Sequence, residues 1–190
     1  MEIKEYRFIT LEDRSDSSYD NWSRTYEYPF VLDSMKSYGN NIETIHNTSW
    51  GFEGVHITFK NDLDSIYPNC IHSDIKRSNL GKTKVWDITK PPEKNDIGFY
   101  DVVINVSTVE EVNYDHVSIL KSLFSMVKPG GILVVTMDVP GAQLDKISEW
   151  LGDQPKQSDK KITGNNSIIP NHGRGHLSVV GLVLEKTHSE

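Results

Sequence analysis

Tyr100-Asp101-Val102-Val103-Ile104-Asn105-Val106 is an almost unbroken run of β-branched and aromatic residues, and it constrains the fold more than any other stretch. A strand with one wet face alternates apolar and polar residues, whereas a run of this kind fits a strand buried on both faces. Ile132-Leu133-Val134-Val135-Thr136-Met137 is a second run of the same type. Between them Val117 to Val127 reads as a helix, with Leu120, Leu123, Phe124 and Val127 on one face and Lys128-Pro129-Gly130-Gly131 as its stop. The unit is therefore strand, helix, strand, which places two parallel strands side by side in a sheet covered by helices.

The rest of the chain repeats that alternation. Pro29 suits the first turn of a short helix carrying Phe30, Leu32 and Met35 and ending near Gly39. Ile42 to His46 reads as a strand, Val55 to Ile66 as a helix, Asn69 to Asp74 as a strand and Val85 to Asp87 as another. Gln143 to Leu151 is helical by pattern, Ile162 to Ile169 a weaker strand, and Leu177 to Leu184 the last one. Residues 1–22 look like a polar lead-in, leaving 23–190 as a single domain. The class is α/β with a mainly parallel sheet.

Composition narrows the function. The 190 residues carry a formal net charge of -7, which speaks against nucleic acid held by bulk charge. The lone cysteine, Cys70, rules out an internal disulfide and a cysteine-rich zinc site. No His-x-His or His-Glu-x-x-His spacing occurs, so no metal site is assigned, although a carboxylate-built divalent site has no fixed spacing to find. No apolar run approaches the roughly 20 residues that span a bilayer, and the start of the chain lacks a signal-type apolar region. The expectation is a cytoplasmic protein with a small-molecule or glycan partner, no nucleic acid and no membrane; the oligomeric state is left open.

In such sheets ligands bind beyond the carboxyl ends of the strands. Asn47, Thr48, Ser49, Gly51 and Gly54 follow the first of the strands read above, where glycines admit a ligand close to the backbone, or serve as a plain connector. Asp74 ends the next, about 20 residues on, where an acid accepts hydrogen bonds from ribose hydroxyls in nucleotide-binding folds. Asp87 is placed to accept from an exocyclic amine or to cap a turn. Ser107, Glu110 and Glu111 follow the Tyr100 strand, and Asp138 follows the Ile132 strand. With His172, in a loop holding Gly173, Arg174 and Gly175, the three acids are the candidates for a general base. Glu110 and Glu111 are adjacent, so they cannot both point inward.

From Tyr100 to Asp138 the chain resembles a class I S-adenosylmethionine-dependent methyltransferase. Tyr100 to Asn105 is similar to that family's fourth strand, Lys128-Pro129-Gly130-Gly131 to the turn before its fifth, and Gly181 to Lys186 to its closing strand. Arg24 with Tyr26-Glu27-Tyr28-Pro29 resembles an approach helix of some members. The resemblance implies a Rossmann-like seven-stranded sheet in the order 3-2-1-4-5-7-6 with the last strand antiparallel and helices on both faces. It implies S-adenosylmethionine as cofactor and S-adenosylhomocysteine as product. Carried across, Asn47 to Gly54 would hold the methionine portion, Asp74 the ribose and Asp87 the adenine, while Asn105 and Ser107 would line the transfer side. The family's acid and Gly-x-Gly-x-Gly are replaced here by His46-Asn47-Thr48-Ser49-Trp50-Gly51-Phe52-Glu53-Gly54. The absence of an Asn-Pro-Pro-Tyr or Asp-Pro-Pro-Tyr sequence disfavours an amine acceptor, and the polar strand ends suit O-methylation of a sugar or glycan. The rival expectations are a methyltransferase-fold module serving assembly or regulation without catalysis, and a methyltransferase for another small metabolite. A reductase would show Gly-x-Gly-x-x-Gly, which is absent.

Overall fold

The computed structural model describes residues 1–13, 23–39, 41–50, 57–79, 81–139, 141–156, 168–171 and 175–188. Eight strands and four helices run in the order β1 (Glu2–Phe8), α1 (Arg24–Tyr38), β2 (Ile45–Thr48), α2 (Ile57–Ile66), β3 (Cys70–Asp74), β4 (Lys84–Val85), β5 (Tyr100–Val106), α3 (His116–Met126), β6 (Val127–Val139), α4 (Leu144–Leu151), β7 (Ile168–Asn171) and β8 (Gly175–Glu185). They form one sheet in the order β1-β8-β6-β5-β2-β3-β4, with β7 also on β8. The β2–β3, β3–β4, β2–β5 and β5–β6 pairs are parallel, and β8 is antiparallel to β6. Read from β4, this is the order expected from the sequence, and β5 is buried along its whole length, as its composition requires.

Two apolar clusters flank the sheet. On one face Phe30, Val31 and Met35 of α1, with Phe59 and Leu63 of α2, cover Ile45, Val102, Ile104, Val134 and Val183. Gly181 makes that contact possible: a Cβ there would lie 2.4 Å from Phe30 Cζ, so α1 could not sit on β8. On the other face Ile119, Leu120, Leu123 and Met126 of α3 and Ile147 of α4 cover Val103, Leu133, Val135 and Leu182. Asp101 ties the amino ends of β2 and β5 together. Its buried Oδ2 accepts from the Thr44 amide at 2.9 Å and the Thr44 hydroxyl at 2.8 Å.

Several boundaries differ from the sequence reading; β6 already begins at Val127 and takes in Lys128 to Gly131, and β7 runs on to Asn171. The segment 1–22 is not simply a lead-in outside the domain, because β1 pairs antiparallel with β8 from Glu2↔Glu185 to Phe8↔Val180. Together β1 and β7 fill the outer side of β8, where a single sixth strand was expected. The alternation in β1 is broken by the register shift between Ile3 and Glu5, and the charges of Lys4, Glu5 and Arg7 obscure it further. Its Tyr6 is inward and fully buried, and its hydroxyl meets Ser148 Oγ of α4 at 3.0 Å. Helix α1 begins at Arg24, and Pro29 lies inside it rather than in its first turn. Strand β2 ends at Thr48, two residues beyond His46. No helix among the described residues is long and apolar enough to cross a membrane.

Candidate active site

The strands on either side of β2 are reached by connections running in opposite directions, so the crevice of this sheet opens beyond the carboxyl ends of β2 and β5. The backbone is strained there. Ser49, the first residue past β2, has φ 61°, and Ser107, the first past β5, has φ 40°. They are the only non-glycine residues with positive φ among those described. Such conformations persist where the surroundings enforce them, and they cluster at functional sites.

Between the two serines the strand ends are polar but mostly satisfied from within. Asn105 Nδ2 donates to Thr48 Oγ1 at 2.8 Å and to Ser49 Oγ at 3.4 Å, and Thr48 Oγ1 donates to the Ile104 carbonyl at 2.7 Å. Asn47 Nδ2 meets His72 Nδ1 at 3.2 Å. The exception is Asn105 Oδ1, a buried acceptor with no hydrogen-bond partner among the described residues. The Ser49 and Trp50 amides both point at the Ser73 carbonyl, at 2.7 and 3.4 Å.

The other half of the site is an acid cluster centred on Glu27, which is fully buried under α1. Arg24 Nη1 and Ser107 Oγ donate to its two carboxylate oxygens, and Thr136 Oγ1 donates to the same oxygen as Ser107 at 2.5 Å. Burial opposes ionisation of Glu27, but the Arg24 guanidinium and the hydroxyls of Ser107 and Thr136 outweigh it and hold the carboxyl below its usual range. Asp138 Oδ1 lies 3.3 Å from Ser107 Oγ. The single Ser107 hydroxyl proton is committed to Glu27, so that contact is best satisfied when Asp138 carries a proton of its own. Burial, followed by the charge of Glu27, pushes Asp138 up to about 7.

Glu110, on a single 3-10 turn after β5, accepts from the Asp138 amide through Oε1 at 2.9 Å. Its Oε2 is buried without a partner among the described residues, and burial pushes the carboxyl up to about 8. A raised carboxyl lets the folded state hold a proton that the unfolded chain has released. Stability should therefore fall as pH rises from the ordinary carboxylate range toward about 8, with a limiting slope of about 1.4 kcal/mol per pH unit for this group. Glu110→Gln should flatten that slope in urea titrations between pH 5 and roughly 8. An unchanged slope would show that Glu110 is ionised in the folded protein.

The remaining sequence candidates are dispersed. Asp74 ends β3 half-buried, with Oδ1 accepting from the Lys76 amide at 3.2 Å. Asp87 forms a turn, its Oδ1 accepting from the Thr89 amide at 2.9 Å and the Thr89 hydroxyl at 2.8 Å. Glu111 is exposed and stands apart from the buried cluster, as the adjacency argument requires. Gly51, Gly54 and His172 lie outside the described residues. His46 is fully buried on Ser73 Oγ at 2.8 Å, and burial pushes it down to about 4, so it is a neutral core residue. Sequence reasoning missed Arg24, Glu27 and Thr136 as site residues. The Arg24–Glu27 spacing of one helical turn was the available signal.

No family model and no curated protein matches the chain. Solved structures do. The CurJ carbon methyltransferase superposes with a TM-score of 0.53 at 14% identity, over 90% of this chain and 56% of that one. The DszA carbon methyltransferase gives 0.50 at 13%, over 87% and 53%. The fold is that of the class I methyltransferases. The chain spans about half the length of the CurJ and DszA structures. The crevice between Ser49 and Ser107 is the switch point of that fold, and the Glu27 cluster lies at its β5–β6 side.

Proposed function

We propose that the chain is an S-adenosylmethionine-dependent methyltransferase whose acceptor is a hydroxyl, with a sugar or glycan as the acceptor class. One observation carries the reading: at the carboxyl ends of β5 and β6 of a methyltransferase fold, Glu110 accepts from the Asp138 amide at 2.9 Å and Asp138 Oδ1 lies 3.3 Å from Ser107 Oγ, and burial there pushes both carboxyl groups toward neutrality. A carboxylate with a pKa near 7 is matched to taking a proton from a reacting hydroxyl at neutral pH.

The donor set suits the cofactor. Asn105 Oδ1 is an unmet buried acceptor, suited to an ammonium group. Asp74 presents a carboxylate at the place of a ribose-binding acid, and Asp87 keeps one oxygen free of the Thr89 turn for an adenine amine. Asn47, Thr48, Ser49, Gly51 and Gly54 lie along the methionine portion in this reading, and Ser107 lines the transfer side. Bound there, the cofactor supplies a methyl group activated by a sulfonium. Asp138 then takes up the proton that the acceptor hydroxyl loses. Ser107 Oγ accepts from that carboxyl once it is protonated, and Glu110 fixes its backbone through the amide.

A second reading, a methyltransferase-fold module for assembly or regulation without catalysis, is favoured by one feature. The Ser49 and Trp50 amides, at the place where a glycine turn would offer donors to a ligand, are turned onto Ser73. Calorimetric titration with S-adenosylmethionine and S-adenosylhomocysteine separates the two. Binding should be measurable, and Asp74→Ala should weaken it by about 1.5–3 kcal/mol, the range for hydrogen bonds to a charged group. No heat at millimolar ligand would reject the enzyme reading in favour of the module.

A further inference from the structure

Cys70 and His72 alternate onto one side of β3, and Asp64 reaches them from α2. Asp64 Oδ1 lies 2.8 Å from His72 Nε2, and the sulfur, nitrogen and oxygen atoms of the three side chains all lie within 4.8 Å of one another. Among the described residues no other trio of His, Cys, Asp and Glu is so close. We propose that Asp64, Cys70 and His72 bind one transition-metal dication of the zinc type, with solvent in the fourth position. This site does not depend on the methyl-transfer reading.

Thiolate, imidazole and carboxylate are the ligand types zinc takes. Metal–ligand bonds of about 2.0–2.3 Å in a tetrahedron place ligand atoms roughly 3.5 Å apart, so modest side-chain shifts close the site. His72 already has an orienting partner. If the Asn47 amide turns over, its oxygen accepts from Nδ1–H and leaves Nε2 free for the metal, the arrangement that commonly fixes a ligating histidine. Asp64 is 40% exposed at its side chain, which opens one side to solvent, while His72 is buried. The carboxylate and thiolate neutralise the dication, and the thiol proton leaves to bulk water. Lys60 opposes binding, because its ammonium bonds Asp64 Oδ2 from the far side. The sequence hides the trio because Asp64 belongs to a different element, and Cys-x-His alone is no metal motif.

The probe is Co²⁺ titrated into the full chain, freed of metal beforehand. A single equivalent should bind, with a thiolate-to-cobalt absorption and the intense visible bands of a four-coordinate site. Cys70→Ser should remove the thiolate absorption, and Asp64→Asn and His72→Gln should each weaken binding by about tenfold or more. Lys60→Gln should tighten it. Zn²⁺ should displace Co²⁺ and raise the melting temperature of the natural chain but not of Cys70→Ser. Circular dichroism checks each fold, and the part-exposed Asp64→Asn keeps the test valid if His72→Gln does not fold. Absence of the thiolate absorption in the natural chain, its survival in Cys70→Ser, or unchanged affinity in folded Asp64→Asn would overturn the proposal.

Discussion

Glu27→Ala should cost about 3–5 kcal/mol of folding stability, the usual penalty for removing one partner of a buried ion pair. The loss comes from what is left behind. Arg24 stays buried, its Nε already lacks a partner among the described residues, and its Nη1 loses the carboxylate it bonds. Ser107 and Thr136 lose their shared acceptor as well. For a chain of this size 1 kcal/mol moves the melting temperature by about 2–4 °C, so a fall on the order of 10 °C is expected. Glu27→Gln should recover only part of the loss, because an amide accepts from the hydroxyls without balancing the guanidinium. Arg24→Met combined with Glu27→Leu should recover most of it, since apolar replacement of a whole buried pair is often neutral. The pH dependence has a definite sign. The folded Glu27 carboxyl lies below its ordinary range, so its stabilisation is present above the unfolded value and disappears as pH falls through the folded value. Acid titration of the natural chain and of Glu27→Gln, followed by circular dichroism, should show that component only in the former. A melting temperature unchanged in Glu27→Ala would mean that α1 is not anchored through this residue.

Asp138→Asn should lower turnover by about 10²- to 10⁴-fold, the contribution of a positioned general base. Cofactor affinity should be nearly unchanged, because Asp138 stands at the end of β6 while the expected cofactor ligands stand at the carboxyl ends of β2, β3, β4 and β5. The assay is release of S-adenosylhomocysteine against a panel of sugars, phenols and amines. The natural chain should lose activity as pH falls below about 7, where Asp138 takes up its proton, and the variant should lack that limb. Glu111→Ala should behave as the natural chain, since Glu111 is exposed. His172→Ala completes the set of candidate bases. Turnover confined to amines, or natural rates in Asp138→Asn, would exclude the assignment.

The two structural lessons differ in kind. The central strand pair and α3 were legible because their composition answers one question, whether a segment is buried on both faces or one. Asp138, Ser107 and Glu110 were found as strand-end residues for the same reason: where a strand is known to stop, the crevice is known to begin. Their division of labour was not legible. Glu110 and Glu111 are neighbours of one residue type, yet one carboxyl is buried beside β6 and the other is exposed. Adjacency said that they differ, and only the packed 3-10 turn decides which is inward.

The order of strands across the sheet came from the resemblance to the methyltransferases; taken alone, the sequence determined the α/β class, the doubly buried strands β5 and β6 and the places where a ligand crevice should open. These follow from local periodicity and composition, which each segment carries within itself. Only the tertiary structure decided that the N-terminal strand β1 closes the outer edge of the sheet, because pairing with β8 joins residues about 180 positions apart. It also decided that Glu27, read in the sequence only as part of an approach helix, is the hub of the candidate site. Its bonds to Ser107 and Thr136 cross 80 and 109 positions of sequence. A buried carboxylate is set by the groups that surround it in space, and no spacing along the chain encodes that set.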